Sequence, residues 1–475
     1  MARYFFAALT RNPISLAGTA LAVASLTLIV TLFIVQMVGF EGGPYLGILT
    51  YLVLPMFFVA GLVLIPLGIV RQRRRAAKMA ASGVAPPLFP VIDLNSETTR
   101  KSVIIFMVLT MVNIIVLAGA TYKGVEIMDS TAFCGLACHA VMQPEHTAHS
   151  RSPHSRVRCV DCHIGPGADW FVKSKMDGAW QLVAVALNIY PQPISTPLHN
   201  LRPARDTCEQ CHWPTKFVGD KLKVHTIFNE DENNTELRNA ILLKVGGLHG
   251  RDSSGIHWHV DPNIQIRYRS DESRMNIYDI ELTRADGTVK VFLADETPED
   301  ASDWRTMDCV DCHNRPTHIY RHPSKEVDLL MAAGRIDPAL PYVKRESVRI
   351  IEEADYQTHD EARIGLAESL QAFYRENYPD VLAQNAVAVT EAGDALGDIF
   401  SWNVFPHMRV NWDTYPNHAG HPPVRSRETA PGCFRCHNRN HKTAEGEGIT
   451  RSCDTCHTVL AQREEDSEIL RLLNP

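Results

Sequence analysis

Residues 134–163 read CGLACHAVMQPEHTAHSRSPHSRVRCVDCH, and the rest of the chain takes its meaning from them. The stretch holds two cysteine pairs, each followed at once by a histidine: Cys134-x3-Cys138-His139 and Cys159-x2-Cys162-His163. In C-x-x-C-H the two thiols add to the vinyl groups of a haem, and the histidine becomes an axial iron ligand. Working outward, the pattern recurs until the cysteines are used up. The remaining pairs are Cys208/Cys211, Cys309/Cys312, Cys433/Cys436 and Cys453/Cys456, followed by His212, His313, His437 and His457. Paired cysteines also build zinc sites, but zinc does not require histidine at the next position every time. With 21 histidines in 475 residues, six such coincidences have odds of about one in 10^8. The expectation is six covalently bound haem c groups, with no cysteine left over for a disulfide or a catalytic thiol.

Upstream the chain is apolar. Ile14 to Phe40, Gly42 to Val70 and Ser102 to Thr121 contain no charged residue. Each run is long enough to cross a bilayer as a helix. The first exceeds the apolar core of a cleaved signal peptide, which predicts a retained helix. Pro55 and Pro66 lie inside the second run, where a membrane helix tolerates proline if neighbours satisfy the freed carbonyl. Between the second and third runs stand Arg71, Arg73, Arg74, Arg75, Lys78, Arg100 and Lys101, against only Asp93 and Glu97. The positive-inside rule places that loop and the N-terminus in the cytoplasm. Residues beyond 121 are then periplasmic, the side on which thioether haems are attached. The formal net charge of −7 gives no indication of nucleic acid.

Four regions follow from this pattern. Residues 1–121 are a membrane anchor with three transmembrane helices. Residues 122–221 carry three motifs. Between the second and third of these, an amphipathic helix is expected from about Asp169 to Tyr190, with Trp170, Phe171 and Trp180 among its apolar residues and Pro191, Pro193 and Pro197 ending it. Such a helix suits a membrane surface or a haem-packed interior equally. Residues 222–300 lack motifs and show short alternating runs, LKVHTIF, IQIRYR, NIYDIEL and VKVFL, with Asp286-Gly287 as a hairpin signal between the last two. This predicts a β-rich insert, in which His257 and His259 would share one face if their segment is a strand. Residues 301–475 carry the last three motifs, and Cys309-Val-Asp-Cys312-His313 repeats the second motif letter for letter. Between motifs, Leu366, Leu370 and Phe373 recur at helical spacing and predict a structural core. The fold class is a mainly α multihaem cytochrome c with three N-terminal transmembrane helices and a small β insert in the periplasmic part.

Low-spin haem needs a second axial ligand. Candidates near motifs or in Gly/Pro-rich turns are His154, His199, His257, His259, His318, His418, His421 and His441. Met142, three residues after His139, is a candidate soft ligand for the first iron. His359, in a charged helical run, reads as an ordinary solvated side chain.

At Cys134–His163, just after an apolar run, the sequence resembles the NapC/NirT/NrfH family of membrane-anchored quinol dehydrogenases. That pattern has methionine shortly after the first motif, histidine shortly before the second, and a lysine-bearing helix; Met142, His154, and Lys173 with Lys175 take those places. The three spans, the β insert and the C-terminal haems resemble the larger ImcH-type inner-membrane cytochromes of metal-respiring bacteria, as do runs such as RNPISLAG, GIHWH, CVDCHNRPTH and TYPNHAGH. Two departures stand out. The first motif has three residues between its cysteines, and no acid follows Lys175 at the family's spacing, where Gly178-Ala-Trp-Gln181 stands instead. Asp169, four residues before Lys173, is the better same-face partner.

The resemblance implies oxidation of menaquinol or ubiquinol at the first haem, in the inner membrane, and delivery of electrons to periplasmic c-type cytochromes or a terminal reductase. Quinol stays in the bilayer, so its site must touch the lipid. It loses protons with its electrons, so the site needs a polar group such as Lys175, Lys173 or Asp169 to hold a hydroxyl. The alternative from another class is a catalytic multihaem reductase of a small oxyanion such as nitrite. That would need an open iron site, and all six motifs keep histidine. A third reading, a passive electron-storing anchor, rests only on the three spans and the basic loop.

Overall fold

The structure is a computed structural model that describes residues 12–37, 53–81, 94–137, 139–165, 168–198, 202–213, 219–249, 252–421, 431–466 and 468–473. Three helices match the apolar runs: α1 (Pro13–Met37), α2 (Leu54–Ala81) and α3 (Glu97–Met128). All three are long and apolar enough to cross a membrane. α1 and α2 pack closely because a Cβ on Gly18 would stand 2.7 Å from the Gly61 carbonyl oxygen, so only glycine fits. Polar side chains join the same pair: Ser15 Oγ donates to the Ile65 carbonyl at 2.8 Å, and Asn12 Nδ2 to Gln72 at 3.1 Å. The 32 residues of α3 span ~48 Å, well beyond the ~30 Å of hydrocarbon. The helix therefore continues past Thr121, through an exposed Lys123–Glu126 ion pair of 2.6 Å, and stops six residues before Cys134.

The chain divides into two compact units, Met1–Ala137 and Cys138–Pro475, so the boundary falls inside the first motif. In the second unit, α4 (His139–Ser150), α5 (Cys159–His163), α6 (Ala168–Ala186) and α7 (Ala204–Cys208) precede the strands. Val141 and Met142 of α4 pack in one cluster with Val185 of α6, Tyr190 and Phe405.

The strands are β1 (Lys221–Phe228), β2 (Glu236–Leu243), β3 (Gly247–His249), β4 (Asp252–Ser254), β5 (Gln265–Ser270), β6 (Ile277–Thr283), β7 (Val289–Phe292), β8 (Arg305–Thr306) and β9 (His457–Glu464). They form an antiparallel β7-β6-β5-β8 sheet, a β3-β4 pair and a β1-β2-β9 sheet. The Asp286-Gly287 hairpin joins β6 to β7, with Gly287 at φ +83° as the turn demands. The β region is not confined to 222–300. Ala240 in central β2 is fully buried and faces Ala461 of β9, so the segment after the last motif completes the first sheet.

α8 (Cys309–Cys312) carries the fourth motif, and between it and the fifth lie α9 (Pro323–Ala332), α10 (Val343–Glu352), α11 (His359–Asn377), α12 (Pro379–Gln384) and α13 (Ala386–Asn403). Leu366, Leu370 and Tyr374 line one face of α11 with no exposed surface, while Phe373 is half-buried beside them. Asn234, in the β1–β2 turn, ties this block to the sheet: its side chain donates to the Leu340 carbonyl at 2.8 Å and accepts from Lys344 N at 2.9 Å.

Candidate functional site

Each motif sits on a short helical turn, and at three-residue spacing a turn puts two cysteines on one side. The Val-Asp within Cys-Val-Asp-Cys makes that turn. Asp161 accepts from Arg158 N at 3.2 Å and Asp311 from Asp308 N at 2.6 Å, which closes a capping box at each N-terminus. The extra residue of the first motif lies in a π-helical turn, Phe133–Ala137, whose wider coil absorbs one residue. Cys138 lies outside the described residues, as does the His139 side chain.

The other five motif histidines each face a second histidine. Ring centres are 6.2 Å apart for His163 and His318, 5.8 Å for His212 and His154, 6.4 Å for His313 and His257, 5.8 Å for His437 and His259, and 6.2 Å for His457 and His421. Two imidazoles on opposite sides of one metal ion, each bonded at about 2 Å, have centres about 6 Å apart. The side chains present therefore fit an iron between each pair.

Hydrogen bonding supports the same fit. His257 Nδ1 meets the Val245 carbonyl at 3.0 Å, His259 Nδ1 the Ile256 carbonyl at 2.7 Å, and His437 Nδ1 the Thr450 carbonyl at 2.6 Å. His318 Nδ1 meets Glu145 Oε2 at 2.8 Å. With Nδ1–H donating, Nε2 is left with the lone pair a metal needs. Burial pushes the His259 imidazole below its ordinary range, which keeps it neutral, as a ligand must be.

His257 and His259 are not on a strand. Ile256–Val260 is a 3₁₀ turn, in which residues two apart point about 120° from one another. They reach two different motifs instead of sharing a face. The turn is set by Gly255 at φ +70°, where a Cβ would stand 2.6 Å from the Lys244 carbonyl oxygen.

The second to sixth motifs are spatial neighbours in sequence order. Cys162 lies within electrostatic reach of Cys208 and Cys211. Cys208 lies beside Cys309, and Asp308, capping the fourth motif, accepts from Ala204 N of the third at 3.0 Å. Arg435, inside the fifth motif, donates to the Asp311 carbonyl of the fourth. Cys433 in turn lies near Cys456 of the sixth.

Three other expected ligands lie within the described residues. His441 is buried with both ring nitrogens engaged, Nδ1 by Asn438 at 2.9 Å and Nε2 by the Ile277 carbonyl at 3.0 Å. His418 is buried beside the fourth motif, its backbone N–H donating to Asn314 at 2.9 Å, and burial pushes its imidazole down to about 3. His199 lies outside the described residues. Met142 is half-buried in the α4 cluster. His359, read as solvated, instead bonds the Val404 carbonyl at 2.7 Å.

On α6, Met176, Trp180, Val183 and, just past its end, Leu187 form an exposed stripe at spacings of four, three and four. Lys173 stands three residues before Met176 on the same face and is exposed, its amine 5.3 Å from the Trp170 ring centre. Lys175 follows more than half a turn round the helix; its side chain and that of Asp169 lie outside the described residues. Glu145 was not legible as functional in the sequence, because its meaning depends on His318, 173 residues away. Its carboxyl is buried, which raises it, yet hydrogen bonding from His318 and the charge of Arg315 bring it below its ordinary range.

The NapC/NirT cytochrome c family, N-terminal region, matches residues 96–197. The cytochrome c-type protein ImcH of Geobacter sulfurreducens is 40% identical over 461 residues, covering 96% of this chain and 89% of that protein. The cytochrome c-type protein TorC of Escherichia coli K12 is 30% identical over 92 residues, 18% of this chain and 23% of TorC. No solved structure matches the chain.

Proposed function

Because the chain belongs to the family of ImcH-like multihaem cytochromes c, with a NapC/NirT region at its first motifs, we propose that it oxidises membrane quinol and relays the electrons to periplasmic acceptors. Family membership and three apolar helices give the coarser statement directly: a membrane-anchored c-type cytochrome carrying covalent haem c in electron transfer.

The observation that carries it is the set of five histidine pairs on motifs that neighbour one another in sequence order. Bound haem iron would supply one-electron redox chemistry at each. The twelve cysteines would anchor six haems, and His163/His318, His212/His154, His313/His257, His437/His259 and His457/His421 would hold five of the irons. A histidine on each side would leave no room there for an oxyanion, so the pairs favour a relay over a reductase. His139 with Met142 is the proposed pair at the first motif.

Electrons would enter at that first motif, six residues beyond a membrane helix. The exposed stripe of α6 suits the membrane–water interface. Lys173, on that stripe, is the leading group to hold a quinol hydroxyl and guide its proton, with Lys175 second and Asp169 as the acid. The orientation proposed is that of the positive-inside rule, with the second unit in the periplasm of a Gram-negative inner membrane. The plainer role for these lysines is contact with anionic lipid head groups.

The test is reduction of the haems by menaquinol in membranes. Wild-type protein should be reduced by the quinol and, in its oxidised state, show no high-spin iron at the five paired sites by electron paramagnetic resonance. Lys173→Leu should leave six haems reducible by dithionite but slow quinol reduction at least tenfold. Normal quinol rates in Lys173→Leu, Lys175→Leu and the double variant would remove the lysine assignment, and high-spin iron that binds nitrite would favour the reductase.

A further inference from the structure

The satisfied Nδ1 atoms of the paired histidines do not all meet the same kind of partner. His257, His259 and His437 each meet a neutral backbone carbonyl. His318 meets a carboxylate: Glu145 Oε2 stands 2.8 Å from its Nδ1, with the Glu145 carbonyl oxygen at 3.2 Å. Glu145 comes from α4 and is mostly buried, its side chain 18% exposed. Arg315 is its other charged neighbour, at 3.4 Å, and is held in place by stacking over Tyr415 with 4.2 Å to the ring centre.

We infer that Glu145 is a positioning and tuning residue that lowers the reduction potential of the iron between His163 and His318, making it harder to reduce than irons whose histidines meet carbonyls. The inference rests on the proposed ligation by this histidine pair. A carboxylate accepting the Nδ1–H draws the proton towards itself and makes Nε2 a stronger donor to the metal. The ferric state carries one more positive charge than the ferrous state, so it gains more from both that donation and the nearby anion. Screening is weak at a buried site, which enlarges the effect. Arg315 opposes it, because its positive charge stands against the same carboxylate. The step concerned is a one-electron change at the iron, with no bond formed or broken in the protein. The competing account is structural: Glu145 is there to neutralise buried Arg315.

The purified full-length cytochrome, titrated spectroelectrochemically at one fixed pH, separates these accounts. Glu145→Gln should shift one haem towards reduction by about tenfold in its equilibrium constant, ~59 mV for one electron, and leave the others in place. Glu145→Asp should restore part of the shift. Arg315→Met should move the same haem in the opposite direction, which a merely structural role does not predict. His318→Met tests the ligation beneath the inference by changing the low-spin resonance signature of one haem. If His318→Met changes no haem signal, the ligation reading falls and takes the inference with it. If it changes one haem but neither Glu145→Gln nor Arg315→Met moves any potential, the inference alone is overturned. Should Glu145→Gln lose a haem, Arg315→Met decides: a lowered potential supports the tuning role, and an unchanged one overturns it.

Discussion

Between Pro323 and Asn403, Val327, Ile336, Ile351, Leu366, Leu370 and Leu396 are wholly buried against one another. The turns that carry the motifs are of another kind. They are helical pieces of three to five residues at Cys159–His163, Cys309–Cys312 and Cys453–Thr455, and their cysteines lie at half-buried or exposed positions. The clusters near them, around Val141 and around Ile266, hold six buried residues each. One region closes its core with its own side chains. The other is a series of capped turns and paired histidines with smaller apolar clusters beside them. Apolar burial at about 25 cal/mol per Å² stabilises the first without help, whereas the second, on the proposed haem attachment, would depend on bonds from protein to haem.

The largest test of that contrast is to make the chain without haem attachment, in cells lacking cytochrome c maturation. Limited proteolysis should then cut freely among residues 139–322 and 405–457 and spare a fragment near 323–403. Equal sensitivity throughout would mean that the helical block also depends on haem. A smaller effect comes from attacking the helical block itself. Leu370→Ala should cost about 3 to 4 kcal/mol, the range for a fully buried leucine, and lower the first urea-unfolding transition followed by circular dichroism. The haem count and low-spin spectrum should stay unchanged. A lost haem would show that the two regions are energetically one.

The same contrast governs what the sequence revealed. The motifs are written in local spacing, and the five histidines that face a motif histidine are among those singled out from the sequence near motifs or turns. The spans are unbroken apolar runs and the α11 stripe is periodicity, which Leu366 with Leu370 showed. What escaped depends on distant residues. β9 forms because β2, more than 200 residues earlier, needs a second partner. The Ile256–Val260 turn overrides a strand-like composition because Gly255 and the carbonyls of Lys244 and Val245 fix the backbone. His441 resembles the other ligand candidates in sequence, and only the structure shows both its ring nitrogens engaged.

The finest test lies within the motif region, where one sequence, Cys-Val-Asp-Cys-His, occurs in two environments. Asp161 and Asp311 do the same local work, each accepting the N–H three residues earlier in a capping box. Beyond that they differ. Asp161 is exposed and adds a 2.7 Å contact with Arg158, and an exposed pair contributes about 0.5 kcal/mol. Asp311 is 3% exposed, accepts from the Tyr268 hydroxyl at 2.6 Å, and lies 3.2 Å from Arg305. Replacing it with asparagine keeps the shape but removes the charge that Arg305 faces, leaving a buried network partly unsatisfied. Asp311→Asn should therefore cost about 2 kcal/mol and Asp161→Asn about 0.5 kcal/mol, read from urea midpoints of the haem-loaded protein. If the two cost the same, the capping box alone sets the value of this aspartate, and the burial around the fourth motif contributes nothing to holding it.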